Sequence, residues 1–429
     1  MQNGSKKQDN PIYYIEVIIM KKKIMAKQMN SGFGESDSNF NSLTVVDNGH
    51  VYFTLSSHQI DTHGRIYRYE PENQTLVFLA DLGDLTGEQG KKTIPHGKSH
   101  SAFFSYQGKY YFATHYGYYQ GNNNKEEPAP PPEGYHPYTG GKIFSYDEKS
   151  NAFTLLASAP AEEGIITMNM DTNKGLLYCL TWPKGYMMVY DINKNEMKNI
   201  GQVSRGGEIG AGDNYFCLCR IFAIDPRDNT AYFTNPDGTI YSYHPDEGVV
   251  KTVEWAHLKK DMFGVWDPHE GGHQGYNWRY LVWNEKHQKF FCVHGKSGYL
   301  FTFDPLKKEL ILLDRICSEY CRQNGCFEDF RYGYMTLTMQ AGDDDTLYYI
   351  SGYKKNDVSH LTAMTYHIPT RKLTDHGVIT LENGKLPVNT QTLGIGKDGT
   401  WYTCPWIETG EKEPNGNPIN DCQLITFTL

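Results

Sequence analysis

The chain has 429 residues, of which 39% are hydrophobic, 14% aromatic and 21% charged, a globular composition that excludes a disordered or fibrous protein. Its formal net charge of -9 argues against a nucleic-acid binder, whose affinity would rest on clustered Lys and Arg meeting phosphates, although a local basic pocket stays open. No apolar run approaches the roughly 18 residues that a membrane-spanning helix needs, so no membrane partner is expected.

At the start of the chain, the apolar stretch 12–20 is interrupted by Glu16 and makes a poor signal peptide. The expected location is cytoplasmic, or periplasmic or secreted if the start is mis-called. The first 40 residues read as an extension, with 41–429 forming one domain.

From there a single unit recurs: an alternating run, a tight polar turn, a second run, a third run rich in aromatics, and a fourth. The third run reads GRIYRYEP at 64–71, GKIFSYDE at 141–148, YMMVYDIN at 186–193 and TIYSYHPD at 239–246. It continues as YLFTFDPL at 299–306, LTAMTYHIP at 361–369 and QLITFTL at 423–429. Hairpins with Asn-Gly or Asp-Gly turns precede them, as at 43–55 and 393–404. Such repetition predicts an all-β fold, a seven-bladed β-propeller of four-stranded antiparallel blades. The last unit stops at its third strand, so 12–20 or the stretch just before Leu43 is expected to close the ring.

Sorting the connections by length separates two faces. The turns near Asp47, Gln107, Asn173, Pro226 and Gly396 are short. The connections 117–140, 204–219, 256–278, 317–332 and 408–421 are long, and long loops on a rigid scaffold are where functional residues concentrate. On that face lie His96 and His100, His115 at the end of a neighbouring strand, Tyr186 opening a third strand, and Arg220 opening a first strand. Two imidazoles, a phenol and a guanidinium around a funnel form an acid-base set beside an anion holder. Tyr116, Tyr118, Tyr119, Tyr135, Tyr138 and Trp182 offer stacking surfaces for sugar rings, or serve as ordinary loop anchors.

The nine cysteines form no disulfide framework, and Cys317, Cys321 and Cys326 are a local bridge or thiolate site at most. Cys292 and His294 alternate on one strand and share a face, with His269 and His273 in the loop before it, which makes a structural zinc a minority expectation against a buried thiol and a rim imidazole.

The segment SHSAFFSYQGKYYFATHYGYY at 99–119, with CRIFAID at 219–225, resembles the seven-bladed propeller polysaccharide lyases of the ulvan lyase and L-rhamnose-α-1,4-D-glucuronate lyase type. The resemblance implies β-elimination at a uronic acid, with a uronate-bearing polysaccharide or oligosaccharide as partner and no cofactor needed for the chemistry. It assigns proton transfer to His100, His115 and Tyr186 and carboxylate binding to Arg220, with Arg205 and His96 as competitors for the last two kinds of role. Tyr116 and Trp182 would meet the sugar, and a structural zinc held by Cys and His is a feature of relatives. Two alternatives stand beside it: an α-L-rhamnosidase-type hydrolase working through His50 on the short-turn face, and a non-catalytic glycan-binding propeller.

Overall fold

The computed structural model describes residues 23–122, 125–209, 215–263, 275–295, 297–325, 337–412 and 418–429. Its architecture is all-β, with short helices only at Leu82–Thr86, Lys260–Phe263 and Glu319–Asn324 among the described residues. Five four-stranded antiparallel sheets follow one another along the chain. Their innermost strands begin at Leu43, Phe104, Gly164, Ala223 and Trp278. A seven-stranded sheet completes the set by joining two further units, Thr346–Lys355, Val358–His367 and Lys372–Leu381 on one side and Gly394–Ile395, Trp401–Thr403 and Leu424–Phe427 on the other.

Burial explains the order of strands within each unit. Leu176–Trp182, second in its sheet, is buried at every residue, because neighbouring sheets cover both its faces. Glu196–Gln202, the fourth strand, alternates polar exposed residues with half-buried ones at the rim. Local geometry repeats as faithfully as the sequence. The ladder between third and fourth strands shifts register near its start in six units, at Ile66/Tyr67, Ile143/Phe144, Met187/Met188, Thr239/Tyr241, Leu300/Phe301 and Ala363/Met364. The turns that follow the third strands carry a left-handed residue, Gln74 at φ 55°, Asn151 at 51°, Asn195 at 55°, Gly248 at 69°, Lys308 at 55° and Arg371 at 53°.

Closure differs from the sequence expectation. The strand that completes the last unit is Lys23–Met29, antiparallel to Leu424–Phe427 and parallel to Lys372–Leu381. The stretch 12–20 lies outside the described residues, and just before Leu43 the chain forms only a bridge from Ser38 to Ser56. Lys23–Met29 wins because its alternation hides Ile24, Ala26 and Met29 and turns Lys23, Met25 and Lys27 outward. The first and last units then meet directly. Gly394 leaves no room for a side chain against Val45 and Leu43, and the Lys397 ammonium donates to the Asp47 carbonyl at 2.8 Å. One predicted long loop is also structured: 408–421 lies mostly within the hairpin Trp406–Lys412 and Pro418–Cys422.

Candidate functional site

The imidazole pair is built by the inner strands of the second sheet. His115 follows Lys109–Ala113 and donates its backbone N–H to the Lys98 carbonyl at 2.7 Å, in an isolated bridge between the two residues. The pairing brings His100, two residues along from Lys98, to a ring-centroid distance of 5.2 Å from His115 at 78°. His100 lies flat on Phe40 at 4.9 Å, and His115 meets Trp182 edge-on at 5.5 Å. On its other side His115 presses on the third sheet, where a Cβ at Gly164 would stand 2.3 Å from its Nδ1. Only 6% of His100 and 1% of His115 is exposed, and neither Nδ1 has a hydrogen-bond partner among the described residues.

Both rings are held uncharged. Burial pushes each pKa well below the usual histidine value, and neighbouring cations add to it: Lys98, Arg220 and Arg279 act on His100, and Lys98 and Arg220 on His115. A chain of net charge -9 thus concentrates positive charge around two neutral imidazoles.

Arg220 contributes to that field while already engaged. Its guanidinium donates to both oxygens of Glu208, at 2.7 and 3.2 Å, and to the Leu218 carbonyl at 3.1 Å. Glu208 also accepts from the Leu218 N–H at 2.8 Å and the Trp182 indole at 3.1 Å. The pair is therefore a cross-tie between the third and fourth sheets. Arg279, at the start of Trp278–Asn284, is the group that sequence reasoning missed. It donates to Gln391, from the last unit, at 3.1 Å, and burial with Arg220 nearby brings its pKa down to about 10. Arg279 occupies the same place in the fifth unit as Arg220 in the fourth, a signal that aligning the units position by position would have raised.

Other predicted residues sit elsewhere. His96 is fully enclosed, with Nδ1 engaged by Thr114 at 2.8 Å and Tyr138 at 2.9 Å, and Nε2 facing Glu88 at 3.3 Å, so it stands behind the site as a satisfied core histidine. Tyr116 and Trp182 are buried too, the phenol donating to the Glu162 carbonyl at 2.8 Å and the indole to Glu208, which makes them walls for His115 with no free face for a sugar. Arg205 is 66% exposed beside Asp237 and lies over the Phe216 ring. Tyr186 opens the strand Tyr186–Asp191 as expected, and its ring makes no contact with either imidazole among the described residues. What does lie beside the pair is a group the sequence offered no reason to join: Asp37, His58, Lys98 and Tyr119.

Of the metal candidates, His273 and His269 lie outside the described residues. Cys292 and His294 share a face as read. His294 is stacked on Phe263 at 4.1 Å and 3°, its Nδ1 takes up the Ser297 hydroxyl at 2.9 Å, and burial brings its pKa down to about 3. Burial raises the Cys292 thiol well above its usual range. Two such groups, packed as core, do not fit a zinc site by themselves, and among the described residues no three His, Cys, Asp or Glu side chains are placed to hold an ion.

On the opposite face, His50 stands among short turns. Its Nδ1 is 3.0 Å from Glu148 and its Nε2 is 3.3 Å from Glu72.

Comparison with known proteins places the fold. No family model matches the chain, and no curated protein matches it by sequence. Among solved structures, a chain of the crystal structure of the mitotic checkpoint complex is 9% identical at a TM-score of 0.54, covering 100% of this chain and 99% of its own. An oligogalacturonate lyase in complex with manganese is 10% identical at a TM-score of 0.52, covering 92% of this chain and 90% of its own. Both are β-propeller-like, and at such identity they show a shared fold alone.

Proposed function

We propose that the chain is a seven-bladed propeller and a polysaccharide lyase, cleaving a uronic-acid linkage of the rhamnose-glucuronate kind by β-elimination at the His100–His115 end of its axis. The observation that carries this reading is a pair of buried, uncharged imidazoles inside a ring of Lys98, Arg220 and Arg279, in an otherwise acidic protein. Elimination removes the proton on C5, which is too weakly acidic until the adjacent carboxylate is neutralised. A cationic mouth is suited to that task. A neutral imidazole suits the other end of the reaction, because its N–H can be given to the departing O4 without a charged group being buried in the resting state. The second proton transfer requires a base beside the imidazoles, and each such transfer is worth roughly 10²- to 10⁴-fold.

The test is cleavage of uronate polymers, ulvan and rhamnose-capped arabinogalactan among them, in heavy-oxygen water with products weighed by mass spectrometry. Elimination adds no water, so unlabelled products with a terminal double bond are expected, and their loss in His115→Ala would place the chemistry. A second reading rests on His50, flanked by Glu72 and Glu148 on the short-turn face. It predicts labelled products, free rhamnose and no effect of His115→Ala. Binding without either product would leave a glycan-binding module.

A further inference from the structure

Asp37, His58 and Tyr119 form a hydrogen-bonded chain next to the imidazole pair. One Asp37 oxygen accepts the His58 backbone N–H at 2.8 Å, and the other faces His58 Nδ1 at 2.8 Å. A carboxylate only accepts, so Nδ1 carries a proton, and a ring with that one proton presents Nε2 as a lone-pair acceptor. Two donors converge on that lone pair, the Tyr119 hydroxyl at 2.9 Å and the Lys98 ammonium at 3.4 Å. Lys98 lies 4.2 Å from the centroid of the Tyr119 ring and 4.5 Å from that of Phe40, the ring on which His100 is stacked. Tyr119 also approaches Trp182, at 6.2 Å, the ring that His115 meets edge-on. The Trp182 ring thus lies between the phenol and His115, and Lys98 with the Phe40 ring between the phenol and His100, with the phenol's proton aimed at a base whose other nitrogen is tied to a carboxylate. That is the logic of a nucleophile, histidine and aspartate triad with a phenol in the first place.

We propose that Tyr119 is the base that removes the C5 proton, with His58 and Asp37 as the positioning residues that draw its own proton away; this assignment rests on the lyase reading. Tyr119 Oη takes the C5 proton as the phenol's original proton passes to His58 Nε2. The C5–H electron pair becomes the C4–C5 double bond, and the C4–O4 pair leaves with O4, which takes a proton from an N–H of the His100–His115 pair. Lys98, beside the phenol, favours negative charge developing there. His58, whose side chain is 30% exposed, returns its proton to solvent, and the deprotonated imidazole regains one from solvent.

Two measurements on the full chain test it. The first needs no substrate: nitrogen NMR of histidine-labelled protein reads the His58 tautomer directly. The Nδ1–H form is expected, with its Nε2 signal moved by Tyr119→Phe and the ring released to the Nε2–H form by Asp37→Asn. An Nε2–H ring in the unmodified protein overturns the proposal, because the hydroxyl would then be the acceptor and could not hand its proton on. The second is turnover. Tyr119→Phe should lower kcat by about 10²- to 10⁴-fold, and a loss of similar size in His58→Gly should be recovered by added imidazole. Full turnover in Tyr119→Phe removes the base assignment. Failure of the unmodified protein on every uronate polymer, with an Nδ1–H ring, sinks the lyase reading and the base role with it, leaving the hydrogen-bonded chain in place.

Discussion

The Glu208–Arg220 pair decides how much of the site is scaffold and how much is reagent. Glu208 is 1% exposed in its side chain and takes hydrogen bonds from a guanidinium, an indole and a backbone N–H. Replacing it by Gln or Ala leaves a buried cation uncompensated, and a loss of about 3–5 kcal/mol is expected from denaturant unfolding. The neutral imidazoles make a second prediction. A histidine whose folded pKa lies below its unfolded value of about 6.5 gives full stability above that pH and loses it as pH falls, because the unfolded chain binds the proton first. For His294 the window runs from there down to about 3. His100 and His115 act in the same direction, so the melting temperature should fall steadily below neutral pH, and His294→Phe should flatten the slope by one proton, about 1.4 kcal/mol per pH unit. At this scale the sequence was partly legible. His100 and His115 could be paired by the antiparallel ladder alone and Arg279 by aligning the repeats, whereas Lys98 and His58 are ordinary residues until segments distant in sequence are brought together.

At the scale of single strands, Lys23–Met29 ties the two ends of the chain together. It pairs with Leu424–Phe427 on one edge and Lys372–Leu381 on the other, so without it two edges would be open at once. Ala26 is fully buried there, and Ala26→Asp should destabilise by about 4 kcal/mol or more through an unpaired buried charge. Hydrogen exchange would show whether protection is lost first in Leu424–Phe427 and Lys372–Leu381, as a seam predicts, or evenly through the molecule. The third strands were readable because their alternation and aromatics are local properties. The closing strand was not, since Lys23–Met29 lies outside both stretches the sequence suggested, and its choice is settled by register against partners some 350–400 residues away.

Across the whole molecule, the candidate groups are divided between two faces. His50 with its glutamates sits among short turns, and the imidazole pair sits with Lys98, Arg220 and Arg279 on the other side. The cations beside the imidazoles predict that an acidic oligosaccharide binds that face and that its affinity falls with added salt. Calorimetry against a carboxyl-reduced version of the same glycan, which should bind weakly and without salt dependence, checks this. The central claim, that the imidazole face performs β-elimination on a uronate, is tested most directly by following the ultraviolet absorbance of an unsaturated uronate during incubation with ulvan and with rhamnose-capped arabinogalactan. The account predicts a rise that disappears in a folded His115→Ala protein and persists in His50→Ala; a rise that survives His115→Ala, or cleavage of these polymers without any rise, would contradict it.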